Sequence, residues 1–146
     1  MKHWSLAIAL AALLGGCRVH TLEDGPYTFT LGEVLRDDCS LATGGLSLTG
    51  TLRTEGHLVS LALNDPELRL VGTYRSGLEE ITMDGSLSNY TKVLRGRECV
   101  LDSVTYHLDG VTDAARSFDG AMSINYETRQ PDECFCRFWF KFTAAR

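Results

Sequence analysis

The sequence predicts an all-β protein: an antiparallel meander of about eight strands that forms a small β-barrel, with a β-sandwich as the alternative. Apolar side chains recur at every second position along most of the chain, which is the period of a half-buried strand. Short segments with turn-forming residues separate these runs. No convincing helical period follows the first seventeen residues. Short antiparallel strands at this spacing are typical of barrels and sandwiches.

The alternation defines each strand in turn. Tyr27, Phe29 and Leu31 alternate with threonines, and the later segments repeat this pattern with leucines, valines and aromatic residues. The last segment places phenylalanines on one face, and Arg137, Trp139 and other residues on the opposite face. The predicted strands are 27–31, 46–53, 58–64, 68–75, 80–88, 99–108, 120–127 and 134–143.

The connections carry residues that favour tight turns. Glu55-Gly56, Asn64-Asp65-Pro66, Ser76-Gly77 and Asp109-Gly110 each supply a backbone position suited to a hairpin. The basic segment Lys92–Arg97 is expected in the longest loop of the domain, and residues 111–117 are expected to form one helical turn. Eight strands fit a closed barrel well, because closure removes exposed edges.

The first seventeen residues have the parts of a secretory signal. Met1-Lys2-His3 gives a positive start, an apolar run follows from Trp4 to Leu14, and Gly15-Gly16 supplies small residues before a cleavage point. This run is too short to span a bilayer. We therefore expect residues 1–16 to be removed.

The segment Leu14-Gly15-Gly16-Cys17 resembles the lipobox of bacterial lipoproteins. The resemblance implies that Cys17 receives a diacylglycerol on its sulfur, becomes the new N-terminus and is N-acylated. It also implies the outer membrane, because Arg18 stands where an Asp would favour retention in the inner membrane. Two or more acyl chains anchor a protein stably. We therefore expect residues 17–26 to be a lipidated cysteine and tether, and residues 27–146 to be one all-β domain.

Composition limits the partners of the mature chain. The formal charge of the whole chain is −5, and loss of Lys2 with the signal makes it −6. This balance gives no electrostatic reason to bind nucleic acid. The mature chain is long enough to bury a core without help from a metal or a partner.

Four cysteines remain once Cys17 is assigned to lipid: Cys39, Cys99, Cys134 and Cys136. In an oxidising envelope an even number predicts two disulfides. Cys134 and Cys136 lie two apart on a predicted strand, so each is expected to bond a distant partner. Which of them bonds Cys39 and which bonds Cys99 stays open. A zinc site is disfavoured because its paired ligands usually have wider spacing.

No residue pattern indicates catalysis, so we expect a protein that is not an enzyme and has no metal or cofactor. The mature chain has three histidines without metal-ligand spacing, and no serine lies in a nucleophile motif. We expect His107 and the others to be solvated side chains. The adjacent carboxylates Asp37-Asp38 and Glu79-Glu80 are expected to make turns soluble.

The predicted architecture is similar to that of lipocalin-type barrels, which implies a binding module. The first hypothesis is a small apolar ligand or lipid held inside the barrel. The alternative is a protein-interaction or structural accessory module of an envelope complex that uses a loop end or Trp139. We expect the stems of Arg137 and Lys141 to cover the Trp139 ring. The inward residues expected to line a ligand cavity are Tyr74, Met83, Tyr106, Met122, Tyr126 and Phe138.

Overall fold

A computed structural model describes residues 22–44, 46–129 and 134–146, and these form eight antiparallel strands in one closed barrel. The predicted all-β class is confirmed, and the barrel rather than the sandwich is the arrangement found. Cys17 and the predicted signal lie outside the described residues. The strands are β1 (Gly25–Asp37), β2 (Leu48–Glu55), β3 (Leu58–Asn64), β4 (Glu67–Arg75), β5 (Glu80–Leu94), β6 (Arg97–Ala114), β7 (Ser117–Glu127) and β8 (Cys136–Ala145).

Strand β1 closes the barrel because it pairs with both the second and the last strand. Its first part, Gly25 to Phe29, lies against β2, whereas Thr28 to Asp37 lies against β8. The β1–β8 register is irregular on both sides of Val34. Such irregularities bend a strand and increase its twist, which helps a sheet of eight strands to close.

The barrel has two different ends. One end, here called the termini end, carries the described start of the chain, the turns at 56–57, 76–79 and 115–116, and Arg146. The opposite end, here called the disulfide end, carries the β1–β2 connection, the turns at 65–66 and 95–96, and the described parts of the β7–β8 connection. The two ends present different side chains, so they differ in what they can bind.

Two disulfides fasten the disulfide end, which confirms that Cys134 and Cys136 each bond a distant partner. Cys39 bonds Cys136, and Cys99 bonds Cys134. The first disulfide joins the segment after β1 to the start of β8, and the second joins β6 to the connection that precedes β8. All four residues lie at the same end because the antiparallel order places the start of β6, the start of β8 and the end of β1 at one end of the barrel.

The prediction that the basic segment Lys92–Arg97 lies in a long loop is wrong. Lys92 and Leu94 belong to β5, Arg95-Gly96 form a tight turn, and Arg97 begins β6. The Arg95 N–H donates to the Cys39 carbonyl at 3.3 Å, and the Arg95 guanidinium contacts the Asp38 carbonyl. The tip of the β5–β6 hairpin is therefore held against the β1–β2 connection rather than solvated as a free loop.

The helical turn expected at residues 111–117 is also wrong. Val111 to Ala114 continue β6, and β7 begins at Ser117 after a two-residue turn. Asp109-Gly110 is likewise strand and not a turn. Gly110 faces Gly120 across the β6–β7 ladder, and a Cβ on Gly120 would lie 2.0 Å from the Asp109 carbonyl oxygen. These glycines allow the two backbones to approach each other closely. From sequence alone, a glycine with this role cannot be distinguished from a glycine that forms a turn.

Inward side chains fill the barrel. At the termini end four aromatic rings pack together, with centroid separations of 5.2–5.8 Å. Aromatic pairs in this range contribute about 0.5–1.5 kcal/mol beyond the area they bury. Leucines and the two buried methionines Met83 and Met122 occupy the middle of the barrel interior. The four rings belong to Tyr27, Phe29, Phe118 and Phe142.

The described start of the chain is fixed to the termini end. Leu22 is 2% exposed, and the Tyr27 hydroxyl donates to the Glu23 carbonyl at 2.9 Å. The Glu23 carboxylate also accepts hydrogen bonds from Arg116 and Arg146. Residues before Tyr27, the predicted start of the domain, therefore already pack against the barrel. Within the described residues, no helix has the length and apolar character needed to cross a bilayer.

Candidate ligand-binding site at the disulfide end

The six residues predicted to line a ligand cavity are all buried, but they do not enclose one common space. Tyr74, Met83 and Met122 pack in the interior with at most 4% of their surface exposed. Phe138 lies under a groove on the outer wall of the barrel. Only Tyr106 and Tyr126 line a pocket that opens at an end of the barrel.

This mouth pocket lies at the disulfide end and has a volume of about 270 Å³. Its apolar lining comes from the β1–β2 connection, the β3–β4 turn and the inner face of β7. Polar groups stand at the rim, where Asp65 and Lys92 carry opposite charges. Polar and apolar groups contribute to the lining in similar amounts, and both kinds of group occur in small-molecule sites. The lining residues are Leu41, Leu46, Ser47, Leu48, Asp65, Pro66, Lys92, Tyr106, Ile124 and Tyr126.

The two tyrosines supply the buried polar groups of the mouth pocket. Tyr106 lies on β6 and Tyr126 on β7, and the two side chains interact with each other. Burial raises the pKa of Tyr106 and of Tyr126 well above that of an exposed tyrosine. Both phenols therefore remain neutral at physiological pH, so they serve as hydrogen-bonding groups rather than as a base or a nucleophile.

Asp37 arranges the loop that forms one wall of the mouth pocket. Its Oδ1 accepts the N–H groups of Cys39 and Leu41 at 3.1 and 3.0 Å, and its Oδ2 accepts the Ala42 N–H at 2.9 Å. The disulfide from Cys39 to Cys136 ties the same loop to β8. Asp37 was expected only to make a turn soluble, and three backbone hydrogen bonds give it a structural role instead.

Sequence reasoning missed most of the pocket wall. Leu41, Leu46 and Pro66 lie in connections, whereas the predicted lining came only from the alternating faces of strands. The pattern Asp37-Asp38-Cys39 is the signal that was available, because an Asp side chain often binds backbone N–H groups that follow it. It indicates an ordered connection but not the cavity beneath it.

Trp139 points outward as predicted, and cover of its ring by the stems of Arg137 and Lys141 stays a prediction. The side chain is 47% exposed. Among the described residues, Arg137 places its guanidinium 5.9 Å from the Phe135 ring centroid, and the Lys141 ammonium binds the Glu33 carboxylate at 2.6 Å. Both cations therefore interact with groups other than the indole.

His107 is not a simple solvated side chain. Its Nδ1 lies 2.6 Å from Asp84 Oδ1, and its Nε2 lies 2.8 Å from Asp109 Oδ2. The hydrogen bond with Asp84, supported by Asp109, raises the pKa of His107, and partial burial opposes this shift. The cationic form, in which both ring nitrogens donate, is favoured. Within residues 22–44, 46–129 and 134–146, no group of three or more His, Cys, Asp or Glu side chains is arranged so that it could hold a metal ion.

No protein-family profile, curated protein or solved structure matches the chain.

Proposed function

We propose that this protein is a lipid-anchored lipoprotein of the bacterial cell envelope, held in the outer membrane through Cys17, and that it binds a small, largely apolar molecule without catalysing a reaction. The mouth pocket is the observation that carries the binding part of this proposal. Its lining combines apolar side chains with two neutral hydroxyls and charged groups, so it suits a ligand that has both an apolar part and hydrogen-bonding groups.

The position of the described chain start supports an orientation. Leu22 lies five residues after Cys17 and packs into the termini end. At roughly 3.3–3.6 Å per residue, the segment between them reaches at most about 18 Å. A lipid on Cys17 would therefore hold the termini end close to the membrane surface. The mouth pocket, at the opposite end, would then face away from that surface.

The filled interior limits the size of the ligand. Side chains such as Met83, Met122 and Phe140 occupy the barrel axis with at most 1% exposure. A small barrel of eight strands commonly fills its own interior in this way. The space available for a ligand is therefore the mouth pocket and not a channel along the axis.

The anchor is tested with the variant Cys17→Ser in the full-length chain. We expect loss of labelling by radioactive palmitate and accumulation of the uncleaved precursor. Labelling that persists in the variant contradicts the anchor without affecting the binding proposal.

Binding is tested by native mass spectrometry on residues 18–146 exported to a periplasm. We expect a mass that corresponds to two disulfides and a bound adduct released as a lipid or another apolar molecule. The variant Ser47→Phe places a ring at the pocket wall and should lose the adduct, whereas Ser76→Phe, in a turn at the termini end, should keep it. A wild-type protein without an adduct that also fails to bind the probe N-phenyl-1-naphthylamine contradicts the proposal.

A second candidate function is contact with an envelope protein through the β1–β8 side of the barrel. Four apolar side chains are between 37% and 47% exposed there: Val34, Leu35, Phe135 and Trp139. Exposed apolar groups that lie together are typical of protein contacts. Co-purification of one partner that is lost in Val34→Ser but kept in Val71→Ser, on β4, would favour this candidate.

A further inference from the structure

A groove of about 500 Å³ runs along the outer wall of the barrel beside Trp139, separate from the mouth pocket. Its floor is formed by small side chains of β7, Ala121 and Ser123. In the sheet register Ser123 lies between His107 of β6 and Trp139 of β8. Adjacent strands are about 4.8 Å apart, so these two taller side chains stand about 10 Å apart across the groove.

The polar side chains of the groove are held in place from outside it. Four of them each bind a residue that does not line the groove. Such support keeps side chains in one geometry before a ligand arrives and lowers the entropy lost on binding. The four pairs are Arg36 with Asp38, His107 with Asp84, Asn125 with Thr105, and Glu127 with Ser103.

The charges around the groove are balanced. Arg36 forms an ion pair with Asp38 at 2.6 Å, and His107 lies between two carboxylates. Lys141, next to Trp139 on the outer face, is paired with Glu33. The groove therefore offers hydrogen-bonding groups without a strong field of one sign, which favours a neutral polar ligand over an ion.

We propose that this groove binds a neutral saccharide. One hexose ring stacks its apolar C–H face on the Trp139 indole, and its hydroxyls bind the planar polar side chains of Arg36, Asn125 and Asp109. The floor of Ala121 and Ser123 leaves room for the ring. A peptide added as an extra strand is disfavoured because β6, β7 and β8 are already paired on both sides.

Tryptophan fluorescence gives a direct test. The chain has two tryptophans, and Trp4 lies in the predicted signal, so Trp139 is the reporter in the mature protein. The mature protein, purified in a polyoxyethylene detergent that contains neither tryptophan nor sugar, is titrated with maltotriose, cellotriose and triacetylchitotriose. We expect at least one of them to change the emission with a Kd on the order of 1 mM or lower.

A matched pair of variants locates the site. Ala121→Tyr fills the groove floor, whereas Ala62→Tyr makes the same change on the outward face of β3, on the opposite side of the barrel. Tyrosine suits an exposed strand position, so both variants should fold, which circular dichroism and urea unfolding check. We expect Ala121→Tyr to weaken binding by about tenfold or more and Ala62→Tyr to leave it unchanged.

Three results would overturn the proposal: no emission change with any of the three sugars up to about 10 mM, equal weakening by the two tyrosine variants, or loss of binding in about 0.5 M NaCl, which would indicate a charged ligand. The mouth variant Ser47→Phe should leave the saccharide response unchanged. Failure of the groove and failure of the mouth pocket can therefore be told apart.

Discussion

Cys39 is bonded to Cys136, 97 residues later in the chain, at the place where β1 and β8 close the barrel. Asp37, two residues before Cys39, lies opposite Phe138 in the β1–β8 register. The disulfide therefore fixes the two strands whose pairing turns the sheet into a barrel. The second disulfide, Cys99 to Cys134, encloses a shorter segment with a sequence separation of 35 residues.

We predict that the closing disulfide stabilises the protein more than the second one. Disulfides restrict the unfolded chain, and on this basis each contributes about 2–4 kcal/mol, with the longer loop worth about 0.9 kcal/mol more. The double variant Cys39→Ser/Cys136→Ser should therefore unfold at lower urea concentration than Cys99→Ser/Cys134→Ser. Equal midpoints, or the reverse order, would contradict the loop-length argument. Thiol labelling of each variant confirms that the other disulfide is intact.

The second prediction concerns the hydroxyl pair of Tyr106 and Tyr126. Changing either residue alone to Phe removes one hydroxyl and leaves the other one buried without its polar neighbour, which costs about 1–3 kcal/mol. Changing both residues removes both polar groups. The double variant should therefore lose less free energy of unfolding than the sum of the two single variants, by about 1 kcal/mol. Additive losses in urea unfolding would show that the two hydroxyls do not depend on each other.

The strand faces were predictable because burial repeats at a period of two. In β8 the predicted inward residues Cys136, Phe138, Phe140 and Phe142 are buried, and Trp139 is exposed. The turns at Glu55-Gly56, Asn64-Asp65-Pro66 and Ser76-Gly77 are also found as predicted. These features depend on residues that are close in sequence, so local sequence patterns predict them.

The end of β5 and the pocket wall were not predictable from local pattern. Residues 85–94 pair with β6, whereas β4 pairs with β5 only up to Asp84. That part of β5 extends past the residues that pair with β4. Its burial therefore does not alternate strictly, and its sequence resembles that of a loop. Likewise Leu41 and Pro66 meet at the mouth only because the barrel closes. Long-range pairing decides both features.

The third prediction is a pH-dependent contribution from His107. Hydrogen bonds to Asp84 and Asp109 raise its pKa in the folded state above 6.5. A raised pKa means that the stabilisation is fully present below about pH 6.5, the unfolded value, and is lost as the pH rises through the folded value. The loss in unfolding free energy caused by His107→Gln should therefore be largest at low pH and shrink towards alkaline pH.

The size of this effect is limited by solvent, because the His107 side chain is 44% exposed. Added salt should reduce it further. An NMR titration gives the second measurement: a His107 pKa at or below 6.5 would contradict the ion pairs.

The last prediction tests whether the β5–β6 hairpin is a fixed part of the fold. Leu94 and Val93 are neighbours near its tip, but Leu94 is 1% exposed and Val93 is 59% exposed. Leu94→Ala should destabilise the protein by about 2–4 kcal/mol, because it removes buried methyl groups and leaves a cavity. Val93→Ala should change stability by less than about 0.5 kcal/mol. Urea unfolding measures both. If the segment were the solvated loop that its basic residues suggest, the two variants would be equally mild; a large difference shows that the tip packs against the β1–β2 connection.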